Sequence, residues 1–178
     1  MLKAKPSPRE IAEKHKELAV QAEKVLHQND MGDWTRAAPD LYPHQWSWDS
    51  AFIAIGLAHL DIGRAARELR TLFAHQWKTG KVPHIVFNPE APPESYYPDG
   101  HYWACAAASP YAPPAPPYTS CLCQPPVHAI AVSRIWDTAK HEDEQTRQET
   151  IAFLHDIIPI SLPGTGISPL LATRRGPG

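Results

Sequence analysis

The sequence has little of what would mark a membrane protein, a nucleic-acid binder or a disulfide scaffold. No apolar stretch approaches the roughly 20 residues that span a bilayer. The 17 Lys and Arg are offset by 19 Asp and Glu, giving a formal net charge of −2. That balance leaves no basic footprint for nucleic acid or an anionic membrane surface. Cysteine is scarce: Cys105, Cys121 and Cys123 form an odd set and a poor disulfide framework. Cys121 and Cys123 with His128 make an incomplete zinc set, and the nearby histidines lack zinc-site spacing. No metal and no other cofactor is expected. The opening Met-Leu-Lys-Ala-Lys-Pro-Ser-Pro-Arg-Glu has no apolar signal stretch, so a cytoplasmic location is expected.

What the chain does have is a dense decapeptide, Leu-Tyr-Pro-His-Gln-Trp-Ser-Trp-Asp-Ser, at residues 41–50. It precedes the apolar run Ala-Phe-Ile-Ala-Ile-Gly-Leu-Ala at 51–58. Flat aromatic faces cover C–H surface, while a carboxylate and an amide grip hydroxyls; a sugar site needs both. The competing reading makes Trp46 and Trp48 core residues and Asp49 a helix cap.

Helical periodicity recurs along the chain. Ser7 as N-cap and Pro8 at the first position open a helix that runs to about residue 27, with Ile11, Leu18, Ala22 and Val25 at helical spacing. Its other face is charged, which puts it on an exterior. A second helix, about 47–60, is apolar nearly all round and reads as buried. A third, about 62–78, carries Ile62, Ala65, Leu69, Leu72, Phe73 and Trp77 on one stripe, with Arg64, Arg67, Glu68 and Arg70 opposite. Gly80 ends it. A buried helix through Val127, Ile130, Ala131, Ile135 and Trp136 follows Pro125-Pro126. An amphipathic helix over about 142–158 then shows Ile151, Leu154 and Ile158.

Between them, residues 80–125 read as a long loop. Proline takes eleven positions from Pro89 to Pro126, among Tyr96, Tyr97, Tyr102, Trp103, Tyr111 and Tyr118. A loop this long is usually functional or disordered, and its aromatic density argues against disorder. The order of one-sided and buried helices suits an all-α, α/α toroid, with inner helices ringed by outer ones. Loops feeding the inner helices would then bring Gln45–Asp49 and Gln124 to one mouth.

Four collinear segments carry a resemblance: the decapeptide at 41–50, Gly-Lys-Val-Pro-His-Ile-Val-Phe at 80–87, Tyr97-Pro98-Asp99, and Cys123-Gln124-Pro125-Pro126. Over about residues 8–160 the chain resembles glycoside hydrolase family 63, in its mannosylglycerate and glucosylglycerate hydrolase branch. The resemblance implies roughly half of an (α/α)6 toroid and an enzyme that hydrolyses α-glycosidic bonds with inversion. It also implies that Tyr42, Trp46, Trp48 and Asp49 form the floor and wall of the sugar subsite. Gln124 and His84 would approach the same small carbohydrate substrate, beside the alternatives that Gln124 caps its own helix and His84 is a structural loop residue; Gln45 would serve as ligand or as packing. Charge-assisted bonds would make Asp49 the strongest grip on hydroxyls.

An inverting enzyme needs an acid and a base about 6.5–9.5 Å apart. The resemblance places both in segments C-terminal to those matched. The acid motif, like Asp-Asn-Ser-Pro-Arg-Trp-Asp, does not occur here. No catalytic residue is therefore assigned, and the chain alone is expected to be inactive. The readings kept beside a glycosidase part are a non-catalytic sugar-binding module and a helical interaction module. An open half-toroid would expose Ile53, Ile55, Leu57, Val127 and Ile130 and favour self-association.

Residues 1–160 are expected to form the partial glycosidase domain and 161–178 an aberrant tail. Pro-Ile-Ser-Leu-Pro-Gly-Thr-Gly-Ile-Ser-Pro at 159–169 ends the helical pattern. One permitted codon spelling of residues 162–168, read one base out of frame, gives Ala-Trp-His-Arg-Tyr-Leu, a stretch like that of the family. A frameshift within 159–170 is the expected cause, with a second near residue 176.

Overall fold

The computed structural model describes residues 6–161. Helix α1, Pro8–Asn29, starts where the sequence places it. Ser7 Oγ accepts from the Glu10 N–H at 3.3 Å, and the Ser7 N–H donates to Glu10 Oε2 at 2.7 Å. This reciprocal box satisfies two of the groups that a helix start leaves unpaired. The helix lies exposed for almost its whole length, Leu18 and Val25 included. It touches the body near its end, where Leu26 packs on the core. The crossing is not so tight as to need Gly56: a Cβ there would stand 3.4 Å from Leu26 Cδ1, an ordinary contact.

The body is a cluster of four helices: α2 (Ser47–Leu57), α3 (Ile62–Phe73), α6 (His128–Ala139) and α7 (Glu144–Ser161). α2 packs on α3 and α6, and α7 packs on α3 and α6. Small residues let the axes approach: Ala51, Ala54, Ala65 and Ala131 are essentially inaccessible. Leu69, Ile135, Phe153 and Ile157 fill the space between them.

Several expectations shift. α2 ends at Leu57, three residues early, and is not buried all round: Phe52 is 56% exposed. Leu57 is buried and Ile53, Ile55 and Val127 are partly buried against the core, so Ile130, at 56%, is the one expected flank residue that lies open. On α7 the buried positions are Thr150, Phe153 and Ile157, with Ile151 and Leu154 half-buried, a face turned slightly from the one expected. That helix continues through Pro159, whose missing N–H forfeits one bond of the last turn. Of the tail expected at 161–178 and the frameshift expected within 159–170, the part from 162 onward lies outside the described residues.

α3 carries the largest correction. It stops at Phe73, and its polar stripe is not all solvated. Arg67 faces water, whereas Arg64 is 5% exposed and Glu68 is fully buried. Such burial is tolerated because each finds charged and hydrogen-bonding partners.

The segment expected to be a loop is partly ordered by main-chain pairing. Strand β1, Gln45–Trp46, runs antiparallel to β2, Ile85–Val86, with Gln45 opposite Val86 and Trp46 opposite Ile85. Thr119 bridges to Val86 from the far side. Two short helices, α4 (Gly100–Trp103) and α5 (Cys105–Ala108), fold within the same stretch. This small pairing draws residues 42–49, 84–87 and 118–120 to one end of the helical body.

Candidate functional site

The N-terminus of α2 explains why these segments meet. A helix start leaves its first N–H groups without intrahelical acceptors. Trp46, at the N-cap, has no side chain able to take them. The Ser47 N–H donates instead to the His84 carbonyl at 3.0 Å. The Trp48 N–H donates to Gln124 Oε1, also at 3.0 Å. The second helix of the pair is joined in the same place: His128, the first residue of α6, sets Nε2 3.0 Å from Ser47 Oγ.

Aromatic side chains gather around Trp46. Its ring meets Tyr42 edge-on at 5.2 Å, Tyr96 at 5.4 Å and His84 at 5.4 Å. His84 in turn meets Trp103 at 6.2 Å. The Trp46 Nε1 proton is buried and has no hydrogen-bond partner among the described residues. Trp46 is half-buried in this cluster, whereas Trp48 and Tyr42 stay 41% and 42% exposed and offer open ring surface.

Asp49 occupies the first turn of α2, half-buried. Burial raises its carboxyl above the ordinary range, and hydrogen bonds from its own N–H and from Trp48 work against that rise. His84 is held neutral by burial, its pKa pushed down. Its Nδ1 is bonded to Ser120 Oγ. Ser120 Oγ also accepts the Ile85 N–H, so strand pairing fixes the imidazole.

Gln45 points elsewhere. It is 1% exposed, and its Nε2 donates to Glu68 Oε1 and to the Glu68 carbonyl, each at 3.1 Å. Of the residues singled out from the sequence, Tyr42, Trp46 and His84 come together through their rings. Trp48 and Gln124 meet through one hydrogen bond with Asp49 next in sequence, and Gln45 turns to the interior. Sequence reasoning missed Tyr96 as the ring touching Tyr42, His44 and Trp46 together. It also missed Ser120 and Glu68. The aromatic density of the loop pointed toward Tyr96; nothing local to Ser120 or Glu68 marks either one.

Among the described residues no group of three or more His, Cys, Asp or Glu is arranged to hold a metal. Cys105, Cys121 and Cys123 are all free. No helix among them is long and apolar enough to cross a membrane. The arrangement offers open aromatic surface beside a carboxylate, an amide and a neutral imidazole: apolar contact plus hydrogen bonding, with no cluster of positive charge.

Comparison with known proteins shows the family. The family model for the mannosylglycerate hydrolase MGH1-like glycoside hydrolase domain matches residues 42–156. A glucosylglycerate hydrolase of Mycolicibacterium hassiacum is 49% identical over 138 residues, which are 78% of this chain and 30% of the relative. A mannosylglycerate hydrolase of Rubrobacter radiotolerans is 52% identical over 119 residues, 67% of this chain and 26% of the relative. Among solved structures, a GH63 mannosylglycerate hydrolase from Thermus thermophilus, in complex with Tris and D-glycerate, aligns with a TM-score of 0.67 at 34% identity. It covers 81% of this chain, which spans 31% of that one. The same enzyme in complex with glucose aligns with a TM-score of 0.61. The chain thus spans under a third of the length of these relatives.

Proposed function

The chain belongs to the mannosylglycerate hydrolase MGH1-like glycoside hydrolase family, and on that premise we propose that it forms the sugar-gripping part of a glycosidase for small α-glucosides or α-mannosides such as glycosylglycerates. The observation that carries this reading is the bond from the Trp48 N–H to Gln124 Oε1, which ties two distant segments together beside Asp49. Trp48 and Tyr42 lie against the apolar face of the sugar. Asp49, His84 and Gln124 bond its hydroxyls, and Trp46 backs the wall. Such a division of labour suits a neutral polyol: rings supply contact area, and a few polar groups fix orientation.

Hydrolysis, with inversion, belongs to a longer protein that supplies a general acid at the leaving oxygen and a general base that activates water on the opposite face of the sugar. Asp49 binds; it is not the acid. The four-helix body is part of an (α/α)6 toroid, with α2 and α6 inside and α3 and α7 outside. Residues 1–160 make up the domain portion and 161–178 a tail that departs from it, in a cytoplasmic protein. Phe52 and Ile130, each 56% exposed, favour a second reading in which this chain also associates with itself.

Tryptophan fluorescence titrated with D-glucose and D-mannose tests the assignment, with an assay for sugar release from glucosylglycerate alongside. The expected result is a saturable millimolar response and no turnover. A response that Trp48→Ala leaves unchanged would remove the assignment.

A further inference from the structure

Glu68 lies on α3 and is fully buried, yet its carboxylate accepts from four side chains. Oε1 takes Ser50 Oγ at 2.6 Å and Gln45 Nε2 at 3.1 Å. Oε2 takes Thr35 Oγ1 at 2.8 Å and Arg64 Nη1 at 3.1 Å. Arg64 is itself anchored, with Nη2 2.8 Å from Asp30 Oδ1 and 2.8 Å from Thr35 Oγ1. A buried carboxylate so fully bonded is rigid, because moving any member leaves a charge or a donor unpaired.

The sequence positions of two of these donors are what matter. Gln45 and Ser50 converge on the same oxygen, Oε1, and they bracket residues 46–49. Between them stand Trp46, Trp48 and Asp49, the aromatic and acidic face assigned above to the sugar. Gln45 holds the strand that enters this tetrapeptide, and Ser50 holds the first turn of α2 that leaves it. We propose that Glu68 is a positioning residue that clamps both ends of the 46–49 segment and so sets the spacing of the Trp46, Trp48 and Asp49 side chains. The proposal rests on the sugar-binding reading of that segment for its function, though not for its geometry. Glu68 itself touches no ligand. Arg64, itself bonded to Asp30, pairs with Oε2 on the side away from Gln45 and Ser50, which lets the carboxylate act as a fixed post.

The test is fluorine NMR of the chain labelled with fluorotryptophan, whose six tryptophans report separately once assigned by single Trp→Phe changes. Glu68→Gln keeps the shape but weakens the clamp. Ser50→Ala removes one pin and leaves the ion pair whole, so it serves if Glu68→Gln does not fold. The expected result is that the signals of Trp46 and Trp48 shift or broaden while those of Trp77 and Trp136 hold. The dissociation constant for D-glucose, the probe, should rise about tenfold in the same variant, the loss expected from one hydrogen bond. If Ser50→Ala moves all six signals alike, or none, the positioning role is overturned. Absence of glucose binding by the unaltered chain would overturn the sugar reading alone, since the fluorine measurement needs no sugar.

Discussion

The backbone N–H of Trp48 donates to the side-chain oxygen of Gln124, 3.0 Å away, across 76 positions of sequence. This bond caps the helix that presents Asp49 and fixes how the segment before α6 approaches it. An amide from elsewhere in the fold does here what an N-cap side chain usually does.

Gln124→Ala should therefore cost about 1 kcal/mol of stability, the usual loss for a cap or a single hydrogen bond. Gln124→Glu keeps the acceptor and adds a negative charge at a helix N-terminus, so it should melt at or above the parent temperature. Thermal melts followed by circular dichroism compare the two. Equal losses in both variants would mean that the bond does not cap α2.

Acid should weaken the fold through His44. Its ring is 4% exposed, packs against Phe87 and Tyr96, and accepts the Asn88 N–H at Nδ1. Burial pushes its pKa from 6.5 down to about 4. The unfolded chain takes up a proton at this site below pH 6.5, while the folded chain resists until near pH 4. The stabilisation is thus fully present above pH 6.5 and lost as pH falls between those values, by up to about 3 kcal/mol. Burial lowers His75, His84 and His128 as well, so they act in the same direction. Urea midpoints measured from about pH 7 to about pH 4 should fall, and His44→Gln should flatten the slope. A midpoint independent of pH in the unaltered chain would contradict the burial of His44.

Gly100 should not tolerate a methyl group. A Cβ there would meet Tyr118 Cβ at 2.5 Å and Tyr118 Cγ at 2.9 Å, contacts that no side-chain rotation relieves. Gly100→Ala must then displace residues 118–120, which carry the Ser120 hydroxyl bonded to His84. Overpacking of this kind costs about 1–3 kcal/mol. Gly56→Ala is the control, because its new contact with Leu26 at 3.4 Å is ordinary. Comparable melting temperatures for the two variants would argue against the close approach.

Much of this is legible in the sequence, and for physical reasons. Ser7, Pro8 and Glu10 announce their helix because a capping box is a local device. Trp46, Trp48 and Asp49 stand out as candidates because a sugar site needs such groups close together. Arg64 and Glu68 read as a wet stripe, since a charge pattern does not reveal whether partners such as Thr35, Gln45 and Ser50 wait on the other side. For Gln45 the sequence leaves ligand and packing open for the same reason: its neighbours in sequence belong to the candidate site, while its partner lies 23 positions away on α3. Phe52 reads as a core residue by composition yet stays 56% exposed, as does Ile130 on the flank where exposure is expected.

The most direct test of the central claim is a titration of the chain with D-glucose by tryptophan fluorescence, run in parallel on Trp48→Ala and Asp49→Ala. The expected result is a saturable response in the millimolar range for the unaltered chain and its loss in both variants, with all three proteins melting cooperatively. A saturable response that survives in both variants would place sugar binding elsewhere, and no response in the unaltered chain would contradict the claim that these residues grip a sugar.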